Sequence, residues 1–136
     1  MVNMFEWKNS YSVGIASIDS QHQTLFAIGA ELYAAMTAGQ AKSVTNRILE
    51  RLVQYTQSHF AHEERLMQRH EYPQFGAHKT EHDQLTAKVK AFHADVTGGK
   101  ATISVQLLRF LRDWLEHHIL ESDRRYAPYL ISQRVA

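Results

Sequence analysis

Three close pairs of metal-ligand side chains stand out in this chain: His59 with Glu63, His78 with His82, and His118 with Asp123. A seventh group, His22, precedes them in the run Asp19-Ser20-Gln21-His22. Imidazole nitrogen and carboxylate oxygen suit first-row transition ions, and seven such groups are enough for two of them. Residues four apart on a helix are offset by only about 40°, so His59/Glu63 and His78/His82 can each clamp one ion. His118 and Asp123 are five apart, an offset of about 140° on a regular helix. That pair requires a break or bulge in the helix between them.

A lone histidine on an apolar face is more often a hydrogen-bonded core residue than a ligand. Five on core-facing stripes, accompanied by two acids, are hard to explain that way. Burying Glu63 and Asp123 unpaired would be costly, and cations offset that cost. The other histidines fit duller roles. His62 competes with His59 for one stripe, but Glu63 keeps the four-residue spacing better. His117 falls off the stripe that carries His118, and His70 and His93 sit near helix ends. All four are expected at the surface or in support of the site.

Two metal templates fail on spacing. His62-Glu63 begins a zinc-protease motif, but Leu66 stands where its second histidine belongs. Di-iron bundles built on Glu-x-x-His need a histidine three residues after a glutamate, which no glutamate here has.

The groups must be positioned by helices. Prolines number only two and glycines six, falling at punctuation points between four long amphipathic segments. The first runs over about 19–38, with Asp19 as N-cap, and turns inward His22, Leu25, Phe26, Gly29, Leu32, Tyr33 and Met36. The second, 43–70, carries Ile48, Leu52, Tyr55, His59, Glu63 and Leu66, and stops before Tyr72-Pro73. The third, 75–97, carries Phe75, His78, His82, Leu85, Val89, Phe92 and Val96. The fourth, 101–121, carries Ile103, Leu107, Leu111, Trp114 and His118. A short helix over 124–132, interrupted or tilted by Pro128, ends the chain, and residues 1–17 form an amino-terminal arm. The fold class expected is all-α: one domain over 1–136, an antiparallel up-down-up-down four-helix bundle. In every long helix the apolar stripe runs into the ligand positions, so the ligands lie on the core face.

Composition narrows the function. Fifteen basic and fourteen acidic residues give a net charge of +1, with no basic stripe, so nucleic acid is a poor partner. No apolar run approaches a membrane span and no signal peptide opens the chain, so the expected compartment is the cytoplasm. With no cysteine, disulfides, thiolate zinc and ordinary iron–sulfur clusters are excluded.

Phe5-Glu6-Trp7, Ser12-Val13-Gly14-Ile15, Ile18-Asp19-Ser20-Gln21-His22-Gln23-Thr24-Leu25-Phe26, His59-Phe60-Ala61-His62-Glu63-Glu64, Tyr72-Pro73, His78-Lys79-Thr80-Glu81-His82 and Trp114-Leu115 through His118-Ile119 to Asp123 resemble the hemerythrin family in its single-domain bacterial form. All seven ligand types occur in order at the family's local spacings. The resemblance implies a non-haem di-iron site that binds dioxygen. His78, His82 and His118 would hold one iron, and His22 and His59 the other. Glu63 and Asp123 would bridge them, with an oxo or hydroxo group as third bridge. The iron with two histidines would keep the open position for dioxygen. Trp114 and Leu115, with Phe26, Phe60 and Ile119, would line the oxygen pocket and keep water out.

On this reading the chain is a reversible dioxygen carrier, store or delivery protein and not an enzyme. It would act as a monomer, with an unidentified protein as recipient. A di-iron enzyme (peroxidase, nitric-oxide-handling or iron-oxidising) ranks second, and a sensor acting through a separate partner ranks third.

Overall fold

The computed structural model describes residues 5–100 and 102–135. Among them the regular structure is helical throughout, a four-helix bundle closed by a shorter fifth helix. Helix α1 spans Ala16–Thr37, α2 Lys42–Arg69, α3 Phe75–Thr97, α4 Val105–His117 and α5 Arg124–Ser132. A π-helical segment, His118–Asp123, joins α4 to α5 without a loop. In the arm, Asn9–Tyr11 forms one 3₁₀ turn.

Helix α1 begins three residues before Asp19, which is therefore not its N-cap. The Asp19 carboxylate instead accepts the Val13 N–H at 2.8 Å and the Ser12 hydroxyl at 2.5 Å, folding the arm against the helix start. At the other end Gly39 takes φ +70, which lets Gln40 N–H return to the Ala35 carbonyl. Helix α4 starts at 105 rather than 101 because Ser104 is its N-cap, accepting the Leu107 N–H at 3.2 Å. Pro128 does not interrupt α5, which runs through it. Its missing donor falls opposite Arg124, where the helix leaves the π-segment and the bonding ladder is already changing register.

The core follows the stripes, with one shift. Leu25, Phe26, Leu32, Leu49, Met67, Ile119, Tyr126 and Leu130 are almost fully buried. On α4 the deeply buried residue is Leu108, while Leu107, Leu111 and Trp114 are only half-buried. The arm packs by aromatic contact. Tyr11 stacks on Phe26 with centroids 5.1 Å apart, and Trp7 meets both rings edge-on. Phe5 lies over Gly29, where a Cβ would stand 2.5 Å from its ring. Tyr11 also donates to Glu116 at 2.9 Å, tying the arm to α4.

Candidate metal centre

All seven expected ligand residues are buried and converge at one point of the bundle. They form two groups whose candidate ligand atoms lie within 4.8 Å of one another: Glu63, His78, His82, His118 and Asp123, and His22, His59, Glu63 and Asp123. The carboxylates belong to both, so the histidines divide three against two.

Each helix contributes by its own periodicity. Helix α1 supplies His22, α2 the His59/Glu63 pair, and α3 the His78/His82 pair. The fourth contribution depends on the π-segment, which starts at His118 and ends at Asp123. Its wider turn brings residues five apart onto one face. The Asp123 carboxylate is thereby fully buried, with Oδ1 3.1 Å from His118 Nε2 and 3.2 Å from His78 Nε2, and Oδ2 3.1 Å from His22 Nε2. Glu63 Oε1 lies 2.8 Å from His59 Nε2 and 3.7 Å from His82 Nε2. Each carboxylate thus reaches into both histidine groups.

These approaches are close but not aligned as hydrogen bonds. His22 Nε2, His59 Nε2, His78 Nε2, Glu63 Oε1 and both Asp123 oxygens are buried without a hydrogen-bond partner among the described residues. Orphaned buried acceptors are rare and costly, and here they are concentrated in one cluster. A cation among them would satisfy all of them at once, so the donor set fits a metal of intermediate softness bound by nitrogen and oxygen.

Electrostatics agree. Burial raises the Asp123 pKa, but the charge and proximity of His118, then of His22 and His78, hold it well below the usual value. Glu63 is likewise pushed up by burial and by Asp123, yet His59 and His22 leave it below its ordinary range. His82 and His118 face each other with Nε2 atoms 3.2 Å apart, so only one of them can carry the proton there. Burial depresses the His82 pKa to about 3. Burial acts the same way on His118, but Asp123, Glu63 and Glu81 outweigh it and raise its pKa to about 9.

A set of supporting residues escaped the spacing argument. His59 Nδ1 sits 2.6 Å from the Gln21 side-chain oxygen, and His82 Nδ1 2.9 Å from Glu64. Glu81 lies 3.6 Å from His118 Nδ1 and accepts the Ser122 hydroxyl. Tyr126 donates to Glu63 Oε2 and stacks on His78, 5.1 Å between centroids. Burial, then the Glu63 and Asp123 charges, drives the Tyr126 pKa well above its usual value. The available signal was adjacency: Gln21, Glu64 and Glu81 each neighbour a candidate ligand in sequence.

Of the five expected pocket residues, Phe60, Trp114 and Leu115 border an apolar cavity of about 40 Å³, together with Leu25, Thr56 and Leu111. Phe60 stacks on His82 at 3.8 Å and Trp114 on His118 at 4.9 Å, placing both rings between the cavity and these candidate ligands. Phe26 and Ile119 are buried but do not line it. Phe26 is turned toward Tyr11 and Trp7 beneath the arm, and Ile119 lies in the π-segment, packed into the core. His117 is exposed beside Glu121, and His62 is half-buried outside both ligand groups.

Residues 13–130 match the family described as the hemerythrin HHE cation binding domain. The chain is 36% identical over 124 residues to a bacteriohemerythrin of Methylococcus capsulatus, covering 88% of this chain and 91% of that protein. It is 30% identical over 126 residues to a hemerythrin of Sipunculus nudus, with 93% of each covered. A solved wild-type hemerythrin superposes with a TM-score of 0.85 at 33% identity, covering 92% of this chain and 96% of that one. Among the described residues no helix is long and apolar enough to cross a membrane. With a family match across most of its length and a cluster of histidine and carboxylate groups suited to a metal, this chain belongs to the hemerythrin family.

Proposed function

We propose that the chain binds dioxygen reversibly at a non-haem di-iron centre and serves oxygen carriage, storage or delivery. The observation that carries this reading is the division of five histidines three against two around two shared carboxylates. His78, His82 and His118 would hold one iron, His22 and His59 the other, and Glu63 and Asp123 would bridge them beside an oxo or hydroxo group. Held by these residues, a pair of ferrous ions would supply the two electrons that reversible dioxygen binding requires.

The protein's own part is selection and exclusion. One protein ligand fewer in the two-histidine group leaves room there for a diatomic guest. Leu25 and Thr56, which border the apolar cavity, stand one helical turn from His22 and His59 respectively. A cavity walled by Leu25, Leu111, Phe60, Trp114 and Leu115 admits an apolar gas and offers water few partners. The stacked rings of Phe60 and Trp114 hold the imidazoles of His82 and His118 in place. Keeping water and outside protons away favours release of intact dioxygen over irreversible oxidation. The proposed setting is the cytoplasm, with a monomer handing oxygen to an unidentified protein.

The test is anaerobic reconstitution with ferrous iron, an iron count, and a visible spectrum on admitting dioxygen. Two irons per chain and an oxygen-dependent band that bleaches under vacuum support the reading. One metal per chain, or an irreversible colourless ferric product, defeats it. Steady turnover of a reductant or of nitric oxide without a reversible band would favour the enzymatic alternative.

A further inference from the structure

The five candidate histidines all turn Nε2 toward the cluster, which leaves each Nδ1 facing outward. What Nδ1 meets matters for any bound metal. A carboxylate accepting the Nδ1 proton makes the imidazole a stronger donor and fixes its tautomer, while a neutral amide does so less. The two groups differ sharply in this respect.

On the three-histidine side two of the outward contacts, those of His82 and His118, are anionic. His82 Nδ1 is 2.9 Å from Glu64 Oε2, and Lys79 Nζ stands 3.5 Å from the other oxygen of that carboxylate. His118 Nδ1 faces Glu81 at 3.6 Å, and the Ser122 hydroxyl holds that carboxylate in place. On the two-histidine side no described residue offers an anion to Nδ1. His59 Nδ1 meets the Gln21 amide oxygen at 2.6 Å, and His22 Nδ1 is buried with no hydrogen-bond partner among the described residues. The side with more histidines is also the one with carboxylates facing two of its imidazoles.

We propose that these outward contacts grade the two halves of the centre, so that the three-histidine half takes up a divalent metal first and the two-histidine half holds its ion weakly, with Gln21 and Glu64 as the positioning residues that set the gap. This rests on the di-iron reading and adds an order of filling to it. The amide at Gln21 leaves the ion in the open half electron-poor, and so receptive to a further ligand. A carboxylate there would tighten the ion and reduce that receptiveness.

The experiment uses the full chain, stripped with a chelator and refilled anaerobically with Co²⁺ against a chromophoric competitor. Wild type is expected to fill in two resolved steps. Removing a partner of this kind typically costs about 10–100-fold in affinity, so Glu64→Gln should weaken the first step by that factor and leave the second nearly unchanged. Gln21→Glu should strengthen the second step by about 10-fold. The double exchange should narrow or invert the gap. Circular dichroism of each stripped chain reports folding, and Gln21→Glu, which adds almost no volume, carries the test alone if Glu64→Gln fails to fold. Two ions bound with a gap that neither exchange alters would overturn the inference and leave the di-iron reading standing. Fewer than two ions in wild type would overturn both.

Discussion

Gly29→Ala pits two effects of known size against each other. Alanine is favoured over glycine in a helix interior by about 1 kcal/mol, so the change should stabilise α1 if nothing else intervened. The new Cβ, however, would stand 2.5–2.7 Å from three ring carbons of Phe5, closer than any real contact. Relief requires the ring to shift from a site where it is 4% exposed. Overpacking of this kind costs about 1–3 kcal/mol, and full expulsion of the ring would forfeit a similar amount of burial. The net expectation is a loss of about 1–2 kcal/mol, or roughly 4–8 °C in Tm for a chain of this length. Removing the obstacle reverses the sign. In a Phe5→Ala background, Gly29→Ala should stabilise by about 1 kcal/mol, giving a coupling of about 2–3 kcal/mol in the double-mutant cycle. Urea unfolding of the four chains, followed by circular dichroism, measures it. Equal stabilisation by alanine in both backgrounds would refute the claim that Phe5 is what demands glycine at this position.

Other expectations concern the centre and its surroundings. Leu115→Ser puts a hydroxyl in the wall of the apolar cavity and should speed oxidative loss of dioxygen binding in the iron-loaded protein; an unchanged rate would remove Leu115 from the barrier. Tyr126→Phe deletes the donor to the buried Glu63 carboxylate and should cost about 1.5–3 kcal/mol in unfolding experiments, with a negligible change arguing that Glu63 finds another partner. The chelator-stripped chain should be most stable near pH 6.5. His118 stays protonated in the fold up to about pH 9, so its contribution is full below 6.5 and is lost as the pH rises toward 9. His82 stays neutral in the fold down to about pH 3, so stability declines as acid protonates its unfolded counterpart below 6.5. Denaturation midpoints that are flat from pH 6.5 to 9 would contradict the His118 assignment.

The bundle and the convergence of the candidate ligands were legible because helical periodicity ties burial to spacing. His59/Glu63 and His78/His82 obey the four-residue rule, and their apolar neighbours continue the same stripe. What was not legible depended on departures from that rule. Leu108 is buried instead of Leu107 because it shares a face with Leu115 and Ile119, seven and eleven residues on, and the apparent stripe through Ile103 starts ahead of the Ser104 cap, outside α4. Asp19 looks like a cap but serves the arm, since its carboxylate can reach Val13 and Ser12 from inside the first turn. The pairing of Gln21 with His59 and of Glu64 with His82 crosses from one helix to another, and nothing local in the sequence announces it. Phe26 is apolar and close to His22 in sequence, yet the arm claims its ring.

The segment from His118 to Asp123 also has a bearing on how length can vary in this chain. A π-turn accommodates one residue more than an α-turn while returning to nearly the same angular position. Deleting one residue between Ile119 and Ser122 would convert it to α-geometry, in which the histidine and aspartate stand four apart, offset by about 40°. The inward faces of Tyr126 and Leu130 would keep their orientation relative to α4, shifted mainly along the axis. The same deletion within α4 would instead swing everything beyond it by about 100° and carry the histidine off the site. The π-turn is therefore the one place in this long helix where a lost residue changes length without changing direction.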